Sequence, residues 1–296
     1  MSKGDDNNQG RFKAACVQFD VEHGLVEKNL RGAQAGVTAA AAAGARLIVL
    51  PELWTTSFVE EITDTLVAKA EDAEEKMLRI SGDLECVIVG SSLEKVGDLC
   101  FNRAVVMDHG RELGSYRKIH LFSPNAENKY FAPGTEPSIV KTSVGTIGIL
   151  ICYDIRFPEL VRYYFHKGVQ LVVVPAQWPE ARSLHWRTLL QARAIENEMF
   201  VVGCNRTGLQ PSRKTGEPLH FPGDSRIIDP MGEILAAGSG EDGPVLAEIE
   251  LRKVRTMRRV LPVCKDQRPV VYKQLWDGAW DEQIGEEDKA GLDKRV

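Results

Sequence analysis

The chain is predicted to be an α/β protein in which mixed β-sheets are covered by helices. Strand-like and helix-like segments alternate over most of its 296 residues, and short strands separated by Pro-Met-Gly and Gly/Asp turns close its last third. In chain order, Phe12 to Phe19 reads as the first strand. Leu25 to Ala43 is an Ala-rich helix, with Gly44 as its stop. Arg46 to Leu50 is a second apolar strand, so the opening is a βαβ-type unit. A polar helix over about Ile62 to Ile80 precedes strands at Cys86 to Leu93 and Phe101 to Met107, joined by a Gly97-Asp98 turn. After a loop holding Lys118, Ser138 to Thr142 pairs with Gly145 to Cys152 through a Val144-Gly145 turn. The alternation then repeats: helix Phe157 to Lys167, strand Gln170 to Pro175, helix Arg182 to Glu198, strand Met199 to Asn205. Asp224 to Ile228, Glu233 to Ala237 and Val245 to Ile249 read as a terminal antiparallel meander.

Length and composition bound the function. At 32.8 kDa one domain suffices, near the size at which single cores stop growing. We assign residues 11–262 to it, residues 1–10 to a polar disordered start, and 263–296 to a C-terminal extension. The net charge of -5 gives no electrostatic reason to expect nucleic acid; the basic residues Arg252, Lys253, Arg255, Arg258 and Arg259 read as solvated helix surface. No apolar signal core opens the chain and no run approaches the ~20 residues of a membrane span, so a cytoplasmic location without membrane contact is expected. Six scattered cysteines, Cys16, Cys86, Cys100, Cys152, Cys204 and Cys264, show no zinc-ligand or disulfide spacing. No metal and no cofactor is expected.

Chemistry concentrates at three places. In Gly148-Ile149-Leu150-Ile151-Cys152-Tyr153-Asp154-Ile155-Arg156-Phe157-Pro158-Glu159 an apolar strand ends in one cysteine, which puts a thiol at the carboxyl edge of a sheet, where open α/β folds bind ligands. The following helix would aim its positive amino end at the thiol and favour the thiolate. A buried structural cysteine is the plain alternative. Glu52 ends the strand in Arg46-Leu47-Ile48-Val49-Leu50-Pro51-Glu52 and so faces the same edge, unless it merely caps a turn. Lys118 lies between apolar residues in Tyr116-Arg117-Lys118-Ile119-His120-Leu121-Phe122, where a solvated charge is the ordinary reading.

Taken together, in the order Glu, Lys, Cys, these segments resemble the carbon-nitrogen hydrolase (nitrilase) superfamily from about Lys13 to about Leu251. The resemblance rests on LPELW, YRKIHLF, GILICYDIRFPE, the ARAIEN segment ending at Asn197, and GDSRIIDPMGEIL from Gly223. It implies a four-layer αββα sandwich, two mixed β-sheets face to face with helices outside. It also implies hydrolysis of an amide through a thioester on Cys152, with Glu52 as general base. The Lys118 ammonium and the Tyr153 backbone N–H would bind the oxyanion. A thiol near two carboxylates resists ionising, so Lys118 must also balance charge. Glu127, in the loop before YF-x-PG (Tyr130 to Gly134), aligns with a second acid of related amidases and is expected to orient Lys118 and the substrate; a solvent-exposed loop acid is its alternative.

The triad alone does not choose a substrate. CYDIRFPEL, the stretch VPAQWPEARSLHWRTLLQARAIENEMFVVGCNRTG and FPGDSRIIDPMGEIL look like the bacterial omega-amidases, which act on 2-oxoglutaramate and 2-oxosuccinamate. The partners are then a small amide and water. A substrate carboxylate needs a cation, and Arg156, four residues after the thiol, could supply it or could pair with Asp154 or Glu159. Trp178 could wall the pocket and restrict it to short unbranched substrates. A broader aliphatic amidase or nitrilase, a retired binding or scaffold protein, and a redox role for Cys152 are the competing readings. Trp276 and Trp280, in a tail that in relatives often docks on a partner subunit, suggest a homodimer or higher homo-oligomer.

Overall fold

The structure, a computed structural model, describes residues 10–212 and 216–283, with side chains through residue 277. The expected disordered start (apart from Gly10), the end of the tail and the side chain of Trp280 lie outside the described residues. By its internal contacts the chain divides into one compact unit up to Met257 and a second from Arg258 onward.

Within the first unit, β1 (Arg11–Gln18), α1 (Val26–Ala42) and β2 (Ala45–Val49) form the expected opening, and α2 (Asp64–Asp83) starts at Thr63, whose side chain accepts from the Leu66 N–H. β3 (Val87–Val96) and β4 (Leu99–Asp108) are the predicted hairpin, and β5 (Arg111–Arg117) extends it. β5 was not legible as a strand because its sequence, RELGSYR, is polar and lies at a sheet edge where only Tyr116 is fully buried. β6 (Ile139–Thr142), β7 (Gly145–Ile149), α3 (Pro158–His166), β8 (Leu171–Ala176), α4 (Ser183–Asn197) and β9 (Phe200–Asn205) follow in the expected order. An unpredicted antiparallel ribbon of β10 (Thr207–Pro211) and β11 (Pro218–Pro222) precedes β12 (Arg226–Ile228), β13 (Ile234–Ala237) and β14 (Gly243–Glu250).

Two six-stranded mixed sheets result, in the orders β14-β1-β2-β3-β4-β5 and β13-β12-β9-β8-β7-β6. Each has three parallel strands at its centre (β1, β2, β3 and β7, β8, β9) with antiparallel neighbours outside them. The expected terminal meander is therefore broken. β12 and β13 pair, but β14 crosses to the other sheet and runs antiparallel to β1, from Arg11 opposite Glu250 to Gln18 opposite Gly243. The physical cause is the free flank of β1, whose unpaired backbone groups β14 satisfies.

The sheets pack face to face. Between β1 and β9 the Cys16 thiol reaches the Gly203 carbonyl at 3.4 Å and the Cys204 thiol the Val17 carbonyl at 3.5 Å. Helices α1 and α2 cover the first sheet, and α3 and α4 the second. Gly203 lets α4 come close: a Cβ there would lie 2.8 Å from Leu190 and 2.9 Å from Trp186. The core beneath α1 and α2 is aliphatic, with Val17, Val37, Ile48, Met77, Ile88 and Val105 among its members. α5 (Arg252–Val260), α6 (Val263–Asp266) and α7 (Pro269–Gln283) form the tail. No helix among the described residues is long and apolar enough to cross a membrane.

Candidate active site

The topology explains why distant residues meet. Strands β2, β7 and β8 end at one edge of the sandwich, and the chain just past them carries Glu52, Cys152 and Gln177. β5 runs antiparallel to β4, which runs antiparallel to β3, so Lys118 just past β5 reaches the same edge. By the same rule Asn102, near the start of β4, sits there too.

Backbone bonds then fix each side chain. Leu53, which has a φ of 44°, donates its N–H to the Ser91 hydroxyl at 2.8 Å, which turns the chain directly after Glu52. The Lys118 N–H donates to the Asn102 carbonyl at 2.9 Å, and the Lys118 carbonyl accepts from the Gly134 N–H at 2.8 Å. Gly134 is required at that approach, since a Cβ would lie 2.1 Å from the Arg117 carbonyl oxygen.

Cys152 has a φ of 46°, a left-handed conformation that non-glycine residues adopt at a cost of ~1–3 kcal/mol. The buried Asp154 carboxylate holds the turn open: it accepts the Ile151 N–H at 2.9 Å, the Tyr116 hydroxyl at 2.9 Å and the His120 N–H at 3.0 Å, with His120 Nδ1 at 2.8 Å. From α4, Arg193 Nε donates to the Ile155 carbonyl at 2.9 Å. One acid thus ties the cysteine turn to the lysine loop, so Asp154 is not the partner of Arg156. Neither is Glu159 among the described residues; Arg156 Nη2 instead lies 3.1 Å from His185 Nδ1.

The charged groups form one buried cluster. Lys118 Nζ donates to Glu52 Oε1 at 2.7 Å and to both Glu127 oxygens at 2.9 and 2.8 Å. Asn102 Nδ2 lies between the acids, 2.8 Å from Glu52 Oε1 and 3.3 Å from Glu127 Oε1. The Gln177 N–H reaches Glu52 Oε2 at 3.0 Å, while the Phe122 N–H reaches Glu127 Oε2 at 2.7 Å. Glu127 is therefore fully buried and not a solvent-exposed loop acid. The Cys152 thiol points toward the Gln177 carbonyl at 3.8 Å.

Burial raises the Glu52 pKa, and the Glu127 charge adds to it, more than Lys118 and the Cys152 hydrogen bond return. Burial works against the Lys118 charge, yet Glu127 and Glu52 together hold its pKa above the ordinary lysine value. The Cys152 thiol is pushed well up by burial and then by the Glu52 charge, against the pull of Lys118. The expected helix-stabilised thiolate is thus corrected. A 3-10 turn, Cys152–Arg156, separates the thiol from α3, and desolvation decides the outcome. A neutral thiol needs a proton acceptor before it can attack, and the Glu52 carboxyl group lies within hydrogen-bonding reach of Cys152.

Glu52, Lys118, Glu127, Cys152, Tyr153, Arg156 and Trp178 all line one cavity of about 230 Å³. Sequence reasoning missed several of its other walls: Phe58, Phe122, Gln177, Arg182 and, from the β10–β11 ribbon, Gln210 and Phe221. Gln177 and Arg182 lie inside the VPAQWPEARSLHW motif, which marked the segment without saying which side chains face the site. Asn102 left only a faint signal, one amide in the apolar strand FNRAVVM. Asn205, at the end of β9, shapes the Trp178 loop: its Oδ1 accepts the Trp178 N–H at 2.6 Å and its Nδ2 donates to the Trp178 carbonyl at 2.9 Å. Among the described residues no three His, Cys, Asp or Glu side chains converge to hold a metal ion.

Chemically the arrangement offers a thiol, two carboxyl groups, an ammonium held between them, and a small cavity that all of them line. Comparison with known proteins agrees with that set. The profile of the carbon-nitrogen hydrolases matches residues 13–259. The chain is 35% identical over 267 residues to the 2-oxoglutaramate amidase of Bacillus subtilis, covering 88% of this chain and 100% of that protein. It is 33% identical over 283 residues to the 2-oxoglutaramate amidase of Paenarthrobacter nicotinovorans, covering 90% and 92%. The crystal structure of a carbon-nitrogen hydrolase from Helicobacter pylori G27 superimposes with a TM-score of 0.83 at 26% identity, covering 90% of this chain and 99% of that one.

Proposed function

The chain belongs to the carbon-nitrogen hydrolase family, and from that premise we propose that it is an omega-amidase that hydrolyses 2-oxoglutaramate or 2-oxosuccinamate to a dicarboxylate and ammonia. The observation that carries the reading is the buried Glu52–Lys118–Glu127 cluster on the wall of the cavity that also receives Cys152. Two relatives named 2-oxoglutaramate amidase, covered at 88–90% of this chain, support the substrate.

In this reading Glu52 takes the Cys152 proton as sulfur attacks the amide carbon. Lys118 and the Tyr153 N–H stabilise the oxyanion, a donor of this kind being worth ~10²–10³ in rate. Glu52 returns the proton to the departing nitrogen, which leaves as ammonia. A thioester stays on Cys152; Glu52 then deprotonates water, which attacks it and frees the acid. The raised pKa of Glu52 suits a group that must both accept and deliver a proton during the cycle. Glu127 holds Lys118 and accepts from the substrate amide. Trp178 and Tyr153 form the walls, and Arg156 receives the substrate carboxylate. The cavity lies below the ~300–1,000 Å³ usual for drug-sized ligands, which fits a short unbranched substrate.

The assay is ammonia release as kcat/KM for 2-oxoglutaramate beside glutamine, propionamide and propionitrile. The reading expects 2-oxoglutaramate to lead by orders of magnitude; equal or faster turnover of the simple amide or the nitrile overturns it in favour of a broader amidase or nitrilase. We also place the protein in the cytoplasm as a homo-oligomer. Exposed apolar side chains in the tail, Val260, Leu261, Val270, Tyr272, Leu275 and Trp276, support the second point.

A further inference from the structure

Two guanidinium groups line the cavity, and neither meets a carboxylate among the described residues. Arg156 reaches only the imidazole of His185. Arg182 has its Cζ 5.1 Å from the centroid of the Phe122 ring, and no carboxylate or other acceptor bonds its guanidinium among the described residues. Elsewhere in the molecule Arg193, Arg206 and Arg226 each pair with an acid: Glu196, Asp20 and Asp224.

The two free cations belong to one cluster. Arg156 Cζ lies 4.9 Å from the Trp178 ring centroid and 5.8 Å from that of Tyr153; Tyr153 packs edge-on against Phe122 at 4.9 Å; Trp178 Nε1 donates to the Arg182 carbonyl at 2.8 Å. His185, the neighbour of Arg156, is three residues beyond Arg182, on the first turn of α4, so both arginines address the same stretch of wall. The ring faces steady the guanidinium planes and leave their N–H forks to an incoming ligand. A pair of arginines without counter-charge among the described residues, set against aromatic walls of the cavity that the Cys152 thiol lines, is built for a ligand that brings its own negative charge. A carboxylate, with two oxygens and about four lone-pair sites, satisfies two forks at once.

We propose that Arg182 is a second anion-binding and specificity-determining residue, which closes with Arg156 a two-guanidinium seat for the substrate carboxylate remote from the amide. The proposal rests on the omega-amidase reading and deepens it. The seat would favour a 2-oxo acid over the matching α-amino acid. The ammonium of glutamine, adjacent to its carboxylate, would enter a site that already holds two positive charges, whose aromatic faces are occupied.

The test measures kcat and KM for 2-oxoglutaramate, glutamine and pentanamide, a neutral five-carbon amide, with the full-length protein and its Arg182→Gln, Arg182→Lys and Arg156→Gln variants. Losing one charge-assisted fork should raise KM for 2-oxoglutaramate about 10- to 100-fold with a much smaller change in kcat. The kcat/KM preferences for 2-oxoglutaramate over pentanamide and over glutamine should both fall, and Arg182→Lys should recover part of the loss. Preferences kept within about twofold in Arg182→Gln while Arg156→Gln loses them overturn the role of Arg182 and leave the omega-amidase reading standing. A wild-type protein with no preference for 2-oxoglutaramate over pentanamide overturns both. Should Arg182→Gln fail to fold, calorimetric binding of 2-oxoglutarate to Cys152→Ala and to Cys152→Ala/Arg182→Lys decides: weaker binding to the double variant upholds the seat, and equal binding overturns it.

Discussion

Replacing Asn102 with leucine, which keeps the same branched heavy-atom skeleton, removes one amide that lies between two buried carboxylates. Its Nδ2 is 2.8 Å from Glu52 Oε1 and 3.3 Å from Glu127 Oε1, so the shorter bond, to the base, carries most of the effect. A hydrogen bond to a charged group is worth ~1.5–3 kcal/mol, which at 1.36 kcal/mol per pKa unit corresponds to about 1–2 pH units. Asn102 favours the ionised form of Glu52; burial already raises that pKa, and losing the donor raises it further. Glu52 acts as a base only when ionised, so the acid limb of the kcat/KM profile should move up by about 1–2 pH units. Below the acid limb the loss should reach about 10- to 100-fold, and it should shrink at pH values above the limb. The assay is ammonia release against pH, with thermal melting at each pH to show that the variant is folded. An acid limb that does not move, whatever the loss in rate, refutes the reasoning and reduces Asn102 to packing.

Glu127→Gln should move the same limb the other way, because the Glu127 charge raises the Glu52 pKa; kcat should fall, since Lys118 loses a carboxylate partner, and unchanged turnover would remove Glu127 from the mechanism. Cys152→Ala should abolish ammonia release, and mass spectrometry of the quenched wild type should find the acyl group of the substrate on the peptide holding Cys152; acylation elsewhere sinks the thioester scheme. Asp154→Asn should lower stability by about 2–4 kcal/mol, read by denaturant unfolding, because a carboxylate that accepts three donors around the cysteine turn loses its charge; a change below about 0.5 kcal/mol would mean that the turn is held by other means. Glu74, pushed up to about 7 mainly by burial despite Arg103, tests the electrostatics away from the site. Its folded pKa exceeds the unfolded value, so its ionisation costs stability progressively as pH rises from about 4.5 through 7. Glu74→Gln should therefore raise the melting temperature more at pH 8 than at pH 5, and a pH-independent difference would refute the shift.

The order of elements through β9, apart from the edge strand β5, was legible because each central strand is an apolar run and each helix has its own stop signals, patterns that local physics imposes on the chain. Glu52 and Cys152 stood out for the same reason, since each follows an apolar strand and so lies at a sheet edge, whereas Lys118, past the polar β5, was picked out by the family resemblance. Three further things were not legible. The course of β14 depends on the free flank of β1, more than two hundred residues earlier in the chain, which no local pattern encodes. The state of the Cys152 thiol depends on desolvation, a property of everything packed around it, and burial outweighed the helix dipole that the local sequence suggested. The partners of Arg156 and Asp154 were open in sequence because both acids and the arginine are neighbours on paper. In space Asp154 turns inward to the lysine loop, Arg156 turns to the cavity, and Arg182 joins it from the turn just before α4. The sequence by itself therefore determined the fold class and the order of its central elements, because these follow from local periodicity and residue type, while the set of Glu52, Lys118 and Cys152 was singled out by the family resemblance. Only the tertiary structure decided which charges neutralise one another and which are left for a ligand, because pairing is set by distance and burial, and those exist only once the two sheets have closed.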